Sequence, residues 1–176
     1  YAQRYNFKGK LHIVHVSSPI AVEMIDESRS HLDISCGVTL HHLVYDFSQM
    51  FKENGLYWKM NPPLRSPDSR KRILRYLKER KIDWIETDHA PHTIEEKLQH
   101  SFYSGIPGLP YWPLINEFLI SQDFSGEEIE ELTFRSVRDR FCIDIPQSRR
   151  KIKDRTNEYF NPYAFLEKKF RIKKKS

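Results

Sequence analysis

The chain has 176 residues, a net charge of +5, 39% apolar residues and 30% charged ones. That is enough for one domain with a real hydrophobic core, although the charged share is high for a compact body. No apolar run approaches the roughly 18 residues of a membrane span, and no signal peptide opens the sequence, so a soluble, cytoplasmic chain is expected.

The sequence opens on Tyr1 rather than a methionine, which leaves room for an upstream segment. Charge is segregated along it. Residues 149–176 carry eleven Lys or Arg against three acids, a net of +8, while the first 148 carry 18 basic and 21 acidic side chains, a net of −3. The expected division is a body, 1–148, and a basic C-terminal tail, 149–176. Runs such as Arg149-Arg150-Lys151 and Lys173-Lys174-Lys175 have no aromatic residues interleaved. They read as solvated ends, and neither a nucleic acid nor a membrane is expected as a partner. Cys36 and Cys142 stand 106 positions apart with no CxxC pair, and both read as free, mostly buried thiols.

In chain order, Leu11 to Val16 is a short apolar run ended by Ser17-Ser18-Pro19, a buried strand. Pro19 then suits the first turn of a helix over Ile20 to Glu27. Leu32 to Cys36 is a second β-like run, and the aromatic-rich stretch Tyr45 to Trp58 has no clean period. Ser66-Pro67 opens a stronger helix, with Ser66 as N-cap and Ile73, Leu74 and Leu77 at helical spacing. Ile82 to Thr87 is a third strand. Helices follow at about Tyr111 to Ser121 and Gly126 to Phe141, the second capped by Ser125. Three strand–helix alternations are the grammar of a parallel α/β fold. A closed (β/α)8 barrel needs eight strands and about 250 residues, so the order suits only part of one.

His15 falls at the C-terminal end of the first strand, where barrel enzymes place functional side chains. Alternation puts it on the face of Leu11 and Ile13, with His12 on the other face. A strand-end histidine is a metal ligand in some proteins and more often a local hydrogen-bonding group. Thr87-Asp88-His89-Ala90-Pro91-His92 closes the third strand, so Asp88 emerges at the same rim. A carboxylate there can touch a metal and shuttle a proton. It can equally cap a helix in a turn.

Four further segments set the context: His15-Val16-Ser17-Ser18, Thr39-Leu40-His41-His42-Leu43, Asn61-Pro62-Pro63-Leu64-Arg65, and Glu95-Glu96-Lys97 after the Asp88 run. In this order, with 73 residues from His15 to Asp88, they resemble the dihydroorotases of the amidohydrolase superfamily, whose pattern reads HVS, TPHHL, NPPLR, TDHAPHT and EEK. The resemblance implies about the last three strand–helix units of a (β/α)8 TIM barrel, followed by a C-terminal helical tail. It implies Zn2+ held by His15 and Asp88, with Asp88 also the catalytic base and acid. It implies that Asn61, His92 and the backbone of Gly108, in the GxPG-like loop Gly105-Ile106-Pro107-Gly108, hold the substrate. That substrate would be dihydroorotate, hydrolysed reversibly to N-carbamoyl-aspartate.

The chain also departs from the pattern. The family's His-x-His pair, fourth-strand lysine or aspartate and fifth-strand histidine have no counterpart in the fourteen residues before His15. A catalytic zinc takes three protein ligands plus water, and His15 and Asp88 supply two. Glu86 stands where the family has a small residue, Gly37 where a glutamate is common, and Leu40 replaces a proline. Alternation sends Glu86 to the side of Asp88, where a buried carboxylate needs a partner. Two readings follow: a dihydroorotase portion inactive until completed by a missing N-terminal half or a homo-oligomer, or a non-catalytic scaffold that partners aspartate transcarbamoylase.

Overall fold

The computed structural model describes residues 1–98, 102–144 and 159–171. Three parallel strands, β1 (Leu11–Ile13), β2 (Ile34–Thr39) and β3 (Trp84–Glu86), lie in the order β1-β2-β3. Helix α1 (Pro19–Ser28) joins the first pair, and α2 (Leu40–Val44) and α3 (Pro67–Lys78) stand between the second. The register sets His12 beside Ser35, Gly37 beside Trp84 and Thr39 beside Glu86. His12, Ser35, Gly37, Thr39, Trp84 and Glu86 therefore share one face of the sheet. Cys36, Val38 and Ile85 point the other way and are buried with Val22, Ile73 and Leu77 from the crossover helices.

The helices form where local signals specify them. Ser66 Oγ accepts the Ser69 amide at 3.1 Å, Pro67 occupies the first turn of α3, and Ile73, Tyr76 and Leu77 are buried. Later come α4 (Ile94–Leu98) and α5 (Pro113–Ile120), then α6 (Gly126–Glu130), which leads through a π-helical turn at Glu131–Arg135 into α7 (Ser136–Phe141). Ser125 and Glu128 close a reciprocal capping box at 3.2 and 2.7 Å at the start of α6.

The strands are shorter or shifted relative to the sequence expectation. β1 stops at Ile13 rather than Val16 because the backbone turns over at His15, where φ is +41°. Leu32 and Asp33 precede β2, which runs on to Thr39. At the N-terminal end of the sheet, Arg29 grips Asp83 with two hydrogen bonds of 3.0 and 2.8 Å, and Asp83 accepts the Cys36 amide at 2.8 Å.

The boundary drawn from charge at residue 148 does not follow the packing. Residues 149–158 and 172–176 of the basic tail lie outside the described residues, but α8 (Ala164–Arg171) buries Leu166 and Phe170 in the core. Tyr163 just before it is 1% exposed, and Tyr45 donates its hydroxyl proton to the Pro162 carbonyl at 2.5 Å. Cys36 is buried as expected, whereas Cys142 is exposed after the last turn of α7.

Candidate active site

The five motif segments meet at the C-terminal ends of the strands, tied together by hydrogen bonds that span the sequence. Arg65 Nε donates to Ser17 Oγ at 3.1 Å, joining the Asn61–Arg65 loop to the segment after β1. His42 Nε2 lies 3.0 Å from the Pro62 carbonyl and its Nδ1 lies 2.7 Å from Thr39 Oγ1, which fixes the same loop to the end of β2. Because the carbonyl only accepts, Nε2 carries the proton.

Lys97 carries the third tie. It is 1% exposed, and its Nζ donates to the carbonyls of Lys59, Tyr103 and Gly105 at 3.1, 3.4 and 2.5 Å. Three acceptors match the three donors of an ammonium, while burial and nearby Lys59 push its pKa down to about 8. Nothing in the sequence singles out this residue beyond its place in the Glu-Glu-Lys run.

His89 Nδ1 accepts the amides of Gly108 and Leu109, each at 3.2 Å, so its proton sits on Nε2. Gly108 must lack a side chain, because a Cβ there would overlap the Thr87 carbonyl. Its own amide is engaged with His89 and its carbonyl accepts the Tyr111 amide at 3.1 Å. The structure thus gives Gly108 a packing role beside the strand end.

His15 and Asp88 both leave their strands with φ of +41°, a left-handed conformation that costs a non-glycine residue about 1–2 kcal/mol. Both side chains are thereby turned toward the same rim. His15 Nδ1 is buried with no hydrogen-bond partner among the described residues, and so is His41 Nε2, which stands 3.9 Å from Asp88 Oδ2. On its far side, His41 Nδ1 meets the Tyr163 hydroxyl at 3.4 Å. Burial, with help from His42 and His15, holds the His41 imidazole well below the usual histidine range. Burial pushes the Asp88 carboxyl up, nearby His15 opposes that, and Glu86 adds to it. A carboxyl held in this way accepts and returns protons more readily than an exposed aspartate.

Glu86 has the partner that burial demands. Its Oε1 accepts His12 Nε2 at 2.6 Å and the Trp84 indole at 3.1 Å, and its Oε2 accepts the His15 amide at 2.7 Å. Burial alone would raise this carboxyl, but the His12 and His15 bonds hold it below the usual glutamate value. His12 reaches this carboxylate with its ring and His15 with its backbone amide, at a point where β1 has already ended.

Asn61 is exposed at the mouth of its loop. His92 stacks on the Tyr103 ring at 5.0 Å between centroids, with Nδ1 3.6 Å from Glu96 Oε2. Among the described residues neither makes a hydrogen bond or ion pair to Asp88. They border the rim through Lys97, which grips Lys59 on one side and Tyr103 on the other.

A metal fits these residues only in part. The orphaned His15 Nδ1 and the Asp88 carboxylate are suitable donors, but no group of three His, Cys, Asp or Glu is disposed to hold a metal among the described residues. Three protein ligands and an open position are what a catalytic zinc requires. The described residues supply a partial donor set and not a complete zinc site.

The dihydroorotase of Fusobacterium nucleatum is 36% identical over 140 residues, covering 77% of this chain and 32% of its own length. This chain is a partial homologue of dihydroorotase. It spans about a third of the length of the curated relatives it matches. No family model matches it. Among solved structures, a D-hydantoinase (dihydropyrimidinase) from Thermus sp. has a TM-score of 0.71 at 20% identity, over 77% of this chain and 32% of the other. A dihydroorotase from Campylobacter jejuni has a TM-score of 0.68 at 15% identity, over 83% and 42%. At those identities the likeness is one of fold, and the α/β arrangement of three parallel strands with flanking helices resembles these amidohydrolases. Among the described residues no helix is long and apolar enough to cross a membrane.

Proposed function

We propose that this chain is the dihydroorotate-facing portion of a metal-dependent cyclic amidohydrolase, inactive until further polypeptide completes its rim. The observation that carries the reading is the pairing of Asp88, its carboxyl raised by burial, with the orphaned nitrogens of His15 and His41 at one strand-end rim. Two buried nitrogens without a hydrogen-bond partner beside one carboxyl are costly for stability, and such groups persist where a ligand or a reaction uses them.

In this reading Asp88 takes a proton from the attacking water and returns it to the ring nitrogen as the amide bond opens. His92, stacked on Tyr103, faces the substrate carboxylate, and Asn61 pairs with the ring's donor and acceptor groups. The product is N-carbamoyl-aspartate, and the reaction runs in both directions. His15 and Asp88 are the contribution of this chain to the metal. The described residues offer no third ligand, and the remaining ones come from further polypeptide.

Titration of the isotope-labelled chain with dihydroorotate tests the recognition half of the proposal. Amide shifts at Asn61, Arg65 and His92, weaker with hydantoin because it lacks the carboxylate, are the expected result. No shift at millimolar dihydroorotate, or an equal response to hydantoin, overturns the substrate. The same purified chain is expected to give no turnover with added zinc, and turnover would overturn the claim that the rim is incomplete.

A further inference from the structure

We propose that Glu86 is a positioning residue that sets His15, and that position 37 is glycine to make room for its carboxylate. The backbone of β1 pairs with β2 as far as Ile13, and pairing resumes where the Val16 amide reaches the Gly37 carbonyl at 2.8 Å. Between those points the chain turns over at His15, and the His15 amide has left the sheet. Glu86 Oε2 catches it at 2.7 Å, from a residue 71 positions away. The strand end is thus gripped twice, by Gly37 through Val16 and by Glu86 through His15.

The carboxylate is itself fixed from every side. His12 Nε2 and the Trp84 indole both donate to Oε1, and the His12 ring stacks on Trp84 at 4.1 Å between centroids. Ser35 Oγ lies 2.9 Å from His12 Nδ1. On the open side stands Gly37, where a Cβ would overlap Glu86 Cδ and Oε1. Any side chain at 37 therefore displaces the carboxylate, and the two positions are sterically coupled across neighbouring strands. A residue in a left-handed turn persists only when its surroundings over-determine it. Glu86 supplies that constraint, and the turn it holds is what points the His15 ring along the rim instead of along the sheet.

The inference deepens the functional reading above and rests on it for the role of His15, but the bond is measurable without any reaction. In the full chain, a scalar coupling across the hydrogen bond from the His15 amide nitrogen to Glu86 Cδ is expected, and its absence overturns the proposal. Glu86→Ala should speed His15 amide exchange by about tenfold to a hundredfold while the Val38 and Ile85 amides keep their protection. The 15N shifts of the His15 imidazole should move with it. Glu86→Gln, which keeps an acceptor oxygen, should restore most of the protection. Gly37→Ala, which crowds the carboxylate without removing it, should reproduce the loss at His15. Unchanged His15 exchange and ring shifts in either Glu86→Ala or Gly37→Ala overturn the assignment. A uniform loss across the sheet overturns it too, since that is what a merely structural glutamate would give. Loss of dihydroorotate binding would leave the coupling intact, so the two readings fail separately.

Discussion

Lys97 Nζ donates to the Gly105 carbonyl at 2.5 Å from a side chain that is 1% exposed, and the same ammonium holds the carbonyls of Lys59 and Tyr103. One buried cation thus joins the loop that leads to Asn61 and the loop that leads to Gly108. Lys97→Met keeps the aliphatic bulk and leaves these carbonyls short of a donor, at a cost of about 2–4 kcal/mol. Thermal unfolding should fall by roughly 5–10 °C. In hydrogen exchange, the segment 103–108 should open before the strands. A melting point within a degree of wild type would mean that the ammonium is not holding the loops.

The parts of this architecture that the sequence displays are those whose cause is local. The caps at Ser66 and Ser125 and the proline at the start of α3 act over three or four residues, and each appears where the spacing puts it. The motif residues His15 and Asp88 were legible as a rim for the same reason, since both close short apolar runs. Glu86 was legible as a problem but not as a solution. A buried carboxylate demands a cation or donors, yet His12 lies 74 residues away and only the register of the three strands shows that it shares the Glu86 face. The bond to the His15 amide was hidden as well, because it forms where the chain leaves β1 at a φ of +41°. Lys97 and Tyr163 were invisible for a related reason: a lysine in a charged run and a tyrosine in a basic tail give no sign of burial.

Gly108 packs its α-carbon against the Thr87 carbonyl, one residue before Asp88. Its φ of −103° is ordinary, so backbone strain plays no part and the requirement is purely steric. Gly108→Ala must push the loop off the strand end, at a cost of about 1–3 kcal/mol. The displacement should also separate the Gly108 and Leu109 amides from His89 Nδ1. The readout is the 15N shift of His89 Nδ1, which should move toward that of a free imidazole. An unchanged shift in a folded variant would show that the loop absorbs the methyl elsewhere.

The two thiols should behave oppositely. Burial, with the nearby Asp83 carboxylate adding to it, pushes the Cys36 thiol up to about 12, while Cys142 is exposed. Since the thiolate is the reacting form, a disulfide reagent at pH 8 should label one cysteine per chain in the folded protein and two after unfolding in guanidinium. Cys142→Ser should leave almost no fast reaction. Rapid labelling of Cys36 in that variant would mean that β2 opens far more readily than its packing implies.

His42 makes stability depend on pH in a defined window. Burial is the largest cause of its pKa of about 4, with the Pro62 carbonyl opposing it and His15 and Arg65 adding to it. The folded state keeps this imidazole neutral where the unfolded chain, near 6.5, already takes up a proton. A lowered folded pKa on a base means that the unfolded state binds more protons between those values, so stability is complete above 6.5 and drains away as pH falls toward 4. For this group alone the loss between pH 7 and pH 5 is about 2 kcal/mol, and the more deeply buried His41 acts in the same direction. Most carboxylates titrate below that interval, so urea melts at pH 7, 6 and 5 isolate the histidines. His42→Gln should flatten the slope of stability against pH by about the same 2 kcal/mol, whatever it does to the absolute value. An unchanged slope would place the acid sensitivity elsewhere and show that His42 protonates in the folded chain, with its bond to the Pro62 carbonyl intact.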